Sequence, residues 1–266
     1  MASINRLIGL ALATATMLAT PALAQDWQPR KPVEFVVASG AGGGTDQFAR
    51  IIQSIIQKND LMPVSIVVSN KGGGAGTEAF VDGKLAGNDP HKLVFGTNNE
   101  WLLPMVTKAA YAPGDLQPVA AMAMDEFLLW THTNAPYESA ADFVAKAKEG
   151  NMKVGGSQSK DTDQILSKHL EHATGTKFTY IPFKSGGEAA TQLAGAHLEA
   201  NFNNPQENVA QWRGGMVRPL CVFSPERMDY KEKVTDTMSW NDIPTCKEEG
   251  LSLIHISEPT RLGMIS

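Results

Sequence analysis

The segment VVASGAGGGTDQFAR, Val36 to Arg50, has the residue types of a backbone anion site. An apolar run leads into Gly40-Ala41-Gly42-Gly43-Gly44, then Thr45, Asp46 and the start of a helical pattern. Glycines let a backbone approach a ligand closely, and the N–H groups that open a helix point at negative charge. Nucleotide sites need stricter spacing. A phosphate loop, GxxxxGK[ST], requires Lys where Thr45 follows Gly44, and a dinucleotide fingerprint, GxGxxG, meets Thr45 or Gln47 in place of its third glycine. Neither motif is completed. Two readings remain: an anion site formed by Ser39, Gly40, Ala41, Gly43, Gly44 and Thr45, or a structural tight turn. Asp46 could serve as a general base, favour the helix dipole, or accept from a donor on the ligand.

The arrangement recurs. SNKGGGAGTEAF (Ser69 to Phe80) offers Gly74 and Ala75, and TNNE offers Asn98. VGGSQSKDTDQI (Val154 to Ile165) offers Ser157 and Gln158, and PFKSGGEAATQ (Pro182 to Gln192) offers Lys184, Ser185 and Gly186. FNNPQENV presents Asn203 and Asn204 at another strand end. In open α/β sheets, ligands sit outside the carboxyl ends of strands, so these loops would form two jaws on one cleft. Catalytic signals are weaker. No GxSxG elbow occurs, and neither cysteine has a His partner nearby in sequence. His169 and His172 lie three apart on a predicted helix, but no third metal ligand accompanies them and a solvated helix face explains them better. His91, His132 and His197 read as ordinary surface or sheet residues. Trp101 could stack on an aromatic substrate, with core packing the alternative. No cofactor or metal is expected.

The elements that must carry these loops alternate. Strands are predicted at VEFVVAS, VSIVVSN (Val64 to Asn70) and KLVFGTNN (Lys92 to Asn99), with helices at TDQFARIIQSIIQ and GTEAFVDGKLAG between them. Ala49, Ile52 and Ile56 fall on one helix face, widened by Ile51 and Ile55. A parallel sheet covered on both faces is the expected result. Beyond Pro113-Gly114, LQPVAAMAM and FLLWTHT read as two successive strands crossing into a second lobe. SAADFVAKAKEG, capped by Ser139, and DTDQILSKHLEHATG, with Asp161 and Gln164 in capping-box spacing, read as helices. Further strands at MKVGGS, FTYIPF, LEANFNN and RPLCVFS alternate with helices at GGEAATQLAGA and PQENVAQWRGG, where Pro205 suits a first turn and Gly214-Gly215 an end.

Residues 1–24 have the layout of a cleaved secretory signal peptide, with Arg6, an apolar core and the end Ala22-Leu23-Ala24. Thr14, Thr16, Thr20 and Pro21 interrupt the apolar run and argue against a membrane anchor. The division expected is a first α/β lobe over 25–113, a second over 114–222, a return toward the first over 223–251, and a tail, 252–266, that resembles foreign read-through sequence. The formal net charge of −5, without a Lys/Arg run, argues against nucleic acid or an anionic membrane as partner. Cys221 and Cys246 are the only cysteines. In an oxidising compartment they form one disulfide or stand as two buried thiols.

Taken together, KPVEFVVASGAGGGTDQFAR, SNKGGGAG, LQPVAAM, VGGSQS, YIPFKSGG and DIPTCKEEGL resemble the substrate-binding receptors of tripartite tricarboxylate transporters, the Bug-type periplasmic receptors. The resemblance spans Lys31 to Leu251. It implies a type II periplasmic-binding-protein fold, two α/β lobes closing on a small organic acid. It also implies a periplasmic monomer that delivers its ligand to membrane transporter subunits. Backbone amides, hydroxyls and ordered water of the first-lobe loops would hold the carboxylate without a dedicated arginine. The chain departs from the family where prolines are usual, at Ser39-Gly40-Ala41 and at Gly72, and the family usually continues for several dozen residues beyond DIPTCKEEGL. An enzyme on the same two-lobed fold and a ligand sensor for a membrane signalling receptor are the alternatives.

Overall fold

The computed structural model describes residues 27–251, so the signal-peptide and tail readings, 1–24 and 252–266, lie outside it. Strand β1 (Val33–Val37) is buried except at half-buried Glu34, as a central parallel strand must be. It runs between β2 (Ile66–Asn70) and β3 (Lys92–Phe95), parallel to both, in the order β2-β1-β3. Helix α1 (Gly44–Lys58) lays Ala49, Ile52 and Ile56 against Val33, Phe35 and Val37. Helix α2 (Thr77–Ala86) covers the other face, with Ala79 and Phe80 against Val36. The apolar stripe of α1 is narrower than its sequence suggests, because Ile51 and Ile55 remain 57% and 51% exposed.

Strand β3 stops at Phe95, short of the predicted Asn99, and Asn99 instead opens a helix, α3 (Asn99–Val106). Gly96 sits where a Cβ would come within 2.7 Å of the Phe80 ring, so the chain turns over that ring. Pro104 lies inside α3 and cannot donate to the Glu100 carbonyl. The Tyr111 hydroxyl supplies the missing hydrogen, donating to the carbonyls of Glu100 and Asn99 at 3.1 and 3.2 Å.

The second sheet has the order β6-β5-β7-β4-β8. Its strands are β4 (Leu128–His132), β5 (Met152–Ser157), β6 (Phe178–Phe183), β7 (Ala200–Asn203) and β8 (Val217–Val222). β5 is parallel to β6 and β7, whereas β4 is antiparallel to β7 and β8, so this sheet is mixed. Helices α4 (Ala140–Ala147), α5 (Thr162–Thr174), α6 (Gly186–Ala194) and α7 (Pro205–Arg213) cover it. Their starts follow sequence: Ser139 Oγ accepts from the Asp142 N–H, and Asp161 Oδ1 from the Thr162 N–H. Gln164 reaches back to the Lys160 N–H instead of that of Asp161, one residue off the predicted box.

Two expectations are corrected. LQPVAAMAM forms no strand, since residues 117–126 find no ladder partner among the described residues and the apolar run alone cannot fix an extended chain. Residues 223–251 do not turn back toward the first lobe. They extend the open edge of β8, with the Val222 N–H donating to the Pro244 carbonyl and the Cys246 N–H to the Val222 carbonyl, at 2.9 Å each. Met228 and Ile243 are buried with Trp130 and Trp212 on one face of the sheet; Cys246 and Leu251 are buried with Phe143 and Phe202 on the other. A Cys221–Cys246 disulfide fastens the segment there. No described helix is long and apolar enough to cross a membrane.

Closing a loop across 25 positions removes enough freedom from the unfolded chain to contribute about 3 kcal/mol. Replacing both cysteines by alanine is expected to lower the melting temperature by several degrees in calorimetry, and reductant should then have no further effect. An unchanged melting temperature would show that the β8 ladder and core alone hold this segment.

Candidate functional site

The loop after β1 is organised by one carboxylate. Asp46 is 3% exposed at the start of α1 and accepts from the Gly42 N–H at 2.9 Å, from Arg50 Nε at 3.0 Å and from Asn70 Nδ2 at 3.0 Å. The same Asn70 amide donates to the Ser39 carbonyl at 3.2 Å, tying the ends of β1 and β2 together. Burial pushes the Asp46 carboxyl up, but the Arg50 guanidinium, the Gly42 amide and the Asn70 amide outweigh it and hold the group ionised below its ordinary range. Of the three roles open to Asp46, this geometry supports ordering of the loop. In the next loop, Gly74, Ala75 and Gly76 all have left-handed backbone, at φ of 60°, 60° and 95°. For Ala75 that conformation is unusual, and it turns the Ala75 carbonyl toward Asn99 Nδ2 at 3.3 Å.

The two lobes meet through these loops. The Gly40 N–H donates to the Lys184 carbonyl at 3.1 Å. Gln158, itself left-handed at φ 52°, reaches across to the carbonyls of Ala38 and Gly72 at 3.4 and 3.3 Å. Asn98 and Thr162 are hydrogen-bonded at 2.7 Å. The Gly44 N–H, in the first turn of α1, donates to Glu207 Oε1 of α7 at 2.8 Å.

Gly40, Gly43 and Gly187 are therefore crowded by protein, whereas Gly42 faces open space. A Cβ on Gly40 would lie 2.8 Å from the Lys184 carbonyl oxygen, one on Gly43 2.9 Å from Ser185 Cβ, and one on Gly187 2.5 Å from the Gly42 carbonyl oxygen. Beside this seam runs an open groove of about 710 Å³, bordered by Gly40, Ala41 and Gly42, by Gln47, and by Lys184, Ser185 and Gln206. The Thr45 hydroxyl has no hydrogen-bond partner among the described residues, and its N–H, second in the helix, has no intrahelical acceptor.

On the second-lobe side the predicted residues serve mixed ends. Both the amide and the hydroxyl of Ser157 donate to Asp163 Oδ2. Burial, with Asp161 and Glu207 nearby, raises the Asp163 carboxyl well above its ordinary value. Ser185 caps α6 by accepting from the Glu188 N–H, and the Lys184 side chain is exposed. Asn203 is fully buried and bonds the Gly186 carbonyl and Asn208 Oδ1 at 2.8 and 2.7 Å, so it braces the α6 and α7 turns instead of facing the seam. Asn204 Nδ2 is engaged by the Glu126 carbonyl at 2.9 Å. Trp101 is 41% exposed, contrary to core packing, and His169 and His172 lie exposed on α5. No cluster of three metal-ligating side chains occurs among the described residues.

Glu207, Asp163, Asn99 and Thr162 lie at the seam although sequence reasoning does not single them out, and Asp161 reads there only as a helix cap. In the sequence Glu207 is three residues past Asn204 at a helix start, which reads as a cap. It does cap, with Oε2 accepting from the Asn204 N–H at 3.3 Å, but nothing local announces that Oε1 crosses to the other lobe.

Comparison with known proteins agrees with this architecture. The model of the tripartite tricarboxylate transporter family receptor matches residues 48–266, a span that takes in the 252–266 segment. Protein BugT of Bordetella pertussis is 25% identical over 229 residues, 83% of this chain and 68% of the relative. A protein encoded in the gbd 5′ region of Cupriavidus necator is 27% identical over 257 residues, 94% of this chain and 74% of its own. Among solved structures, MatC of Rhodopseudomonas palustris, with bound malate, superposes with a TM-score of 0.72 at 23% identity over 86% of this chain and 76% of that one. A second R. palustris protein, solved with adipate, gives 0.72 at 24% identity over 88% and 75%. These superpositions give the two-lobed fold of periplasmic solute-binding proteins. The chain belongs to the tripartite tricarboxylate transporter receptor family, as a solute-binding receptor and not an enzyme.

Proposed function

We propose that this receptor binds a small dicarboxylate where its lobes meet and delivers it, as a periplasmic monomer, to the membrane subunits of a tripartite transporter. The observation that carries the reading is the Gly44 amide at the positive end of α1, which donates to a carboxylate oxygen, that of the chain's own Glu207, at 2.8 Å. The same helix start offers the Thr45 amide and hydroxyl, while Asp46 holds the loop in shape. The malate on MatC and the adipate on its R. palustris relative support a short diacid over a bulkier ligand. The signal-peptide pattern of residues 1–24 supports export.

A hydrogen bond to a charged group contributes about 1.5–3 kcal/mol, so a few such bonds and lobe closure reach about −8 kcal/mol, or micromolar affinity. Titration calorimetry with malate and adipate is expected to show one such binding event, and the corresponding diamides are expected to bind at least about tenfold more weakly. Equal binding of acid and diamide would sink the carboxylate reading. Gly43→Val should weaken binding by more than about tenfold and also lower the melting temperature, because even its Cβ would lie 2.9 Å from Ser185 Cβ across the seam.

Asp46 behaves differently. Its folded pKa lies below its ordinary value, so its contribution to stability is complete above pH about 4 and is lost as pH falls through the folded value. Asp46→Asn is expected to destabilise the chain by about 1–3 kcal/mol at neutral pH and to shrink the difference from wild type in acid. A chemical-denaturation series across pH reads this directly; a difference that does not shrink in acid would place the Asp46 charge outside the stability of the loop.

A further inference from the structure

Glu207 belongs to the second lobe, yet its carboxylate sits at the helix start that the proposed function assigns to the ligand. Oε1 accepts from the Gly44 N–H of the first lobe and Oε2 from the Asn204 N–H of its own helix, and the residue is 8% exposed. Its seat is tight, since a Cβ on Gly186 would lie 2.0 Å from Oε2 and a Cβ on Gly44 would meet the neighbouring Gln206 side chain at 2.5 Å. One carboxylate thus spans two helix N-termini from opposite lobes.

We propose that Glu207 is an internal clasp: its carboxyl group occupies the Gly44 amide as a ligand's carboxylate would, holds the lobes together, and must give up that amide for the ligand to bind. The competition half of this rests on the carboxylate reading above; the clasp half does not. Beside Glu207 at the seam, Gly40 with Lys184 and Gln158 with Ala38 supply bonds that do not titrate, so Glu207 is the titratable bond between the lobes at α1.

Among the described residues, the buried groups that act on Glu207 are acidic or phenolic, while Lys184 and Glu188 border the open groove beside it. Asp161 and Asp163 face it from the start of α5, Tyr180 from β6, and exposed Asp125 from the segment before β4. Burial pushes the Glu207 carboxyl up to about 7; the amides of Gly44 and Asn204 oppose the shift, and Asp125 and Asp161 add to it. Asp161 is likewise pushed up, to about 6, chiefly by burial. A carboxyl whose pKa is higher in the closed form stabilises closure fully below its ordinary value, and that stabilisation is lost as pH rises through about 7. Closure is therefore favoured in mild acid and weakened in mild alkali, where the ionised clasp is expensive to bury.

Small-angle X-ray scattering without added ligand tests the clasp. The wild-type chain is expected to be compact at pH about 5 and to expand toward pH about 8. Glu207→Ala should be expanded at both, with a circular-dichroism spectrum like wild type. Glu207→Gln keeps the acceptor without the charge and should stay compact over more of the range. An Ala variant as compact as wild type at the acid end, or a Gln variant that expands just as wild type does, overturns the clasp. Calorimetry with malate and adipate at neutral pH tests the competition: Glu207→Ala is expected to bind at least about threefold tighter than wild type, because no closed population withholds the amide. Unchanged or weaker binding overturns the competition. If neither acid binds any of the three proteins, the dicarboxylate reading fails with it, and scattering still decides the clasp.

Discussion

The amides that open α1 have no partners within their own helix, and the site follows from what satisfies them. Backbone N–H groups left bare and buried cost about 1–3 kcal/mol each, so a helix that starts at an interlobe seam must be met there by an acceptor. Here the acceptors are arranged in two layers. Asp46 turns back on its own loop and takes the Gly42 amide, while Glu207 comes from the opposite lobe and takes Gly44. The first carboxylate is held ionised by Arg50; the second has no cation and is pushed toward neutrality. Two carboxylates at one helix start thus have opposite electrostatic characters. One is a fixed part of the loop and the other is a group whose binding there can be reversed.

This distinction explains the glycines. A loop built only to cradle an anion needs a bare backbone on the face that meets the ligand. In this chain the bare faces of Gly40 and Gly43 meet Lys184 and Ser185, and that of Gly187 meets the Gly42 carbonyl. The backbones of the two lobes approach each other as closely as a ligand would approach either. Gly72 fits the same pattern, because a Cβ there would lie 3.0 Å from the Gly40 nitrogen, so the first two loops of lobe one also touch. Close approach to a ligand and close approach between lobes impose the same demand on sequence. A run of glycines cannot distinguish them.

That is also the limit of what the sequence discloses. The strand–glycine–helix repeats locate Ser39 to Asp46, Gly74-Ala75, Ser157-Gln158 and Lys184 to Gly186 at one end of their sheets, and the three-dimensional structure brings most of these loops together. Period and capping rules carry that far because they act within a few residues. They fail where a partner strand or lobe decides. LQPVAAMAM has the composition of a strand but no ladder to join, and residues 223–251 follow the free edge of β8 because Ile243 and Cys246 find burial there. Asn203 looks like a polar group aimed into a cleft, yet it is spent on Gly186 and Asn208. Glu207 looks like a cap and does more.

The acidic character of the second-lobe rim follows from the same economy of donors. Ser157 gives both its amide and its hydroxyl to Asp163, and Thr162 gives its amide to Asp161 and pairs with Asn98. These carboxyls are buried with hydrogen-bond donors but without positive charge, and so each is raised above its ordinary value. A second buried carboxylate from a ligand would meet the same unfavourable field unless the lobe moves away or the field is discharged by protons. Lobe closure and proton uptake, and lobe separation and proton release, are therefore coupled at this seam. For the dicarboxylate we propose, the arrangement that avoids this field puts one charge on the α1 amides and the other near the open groove, by exposed Lys184.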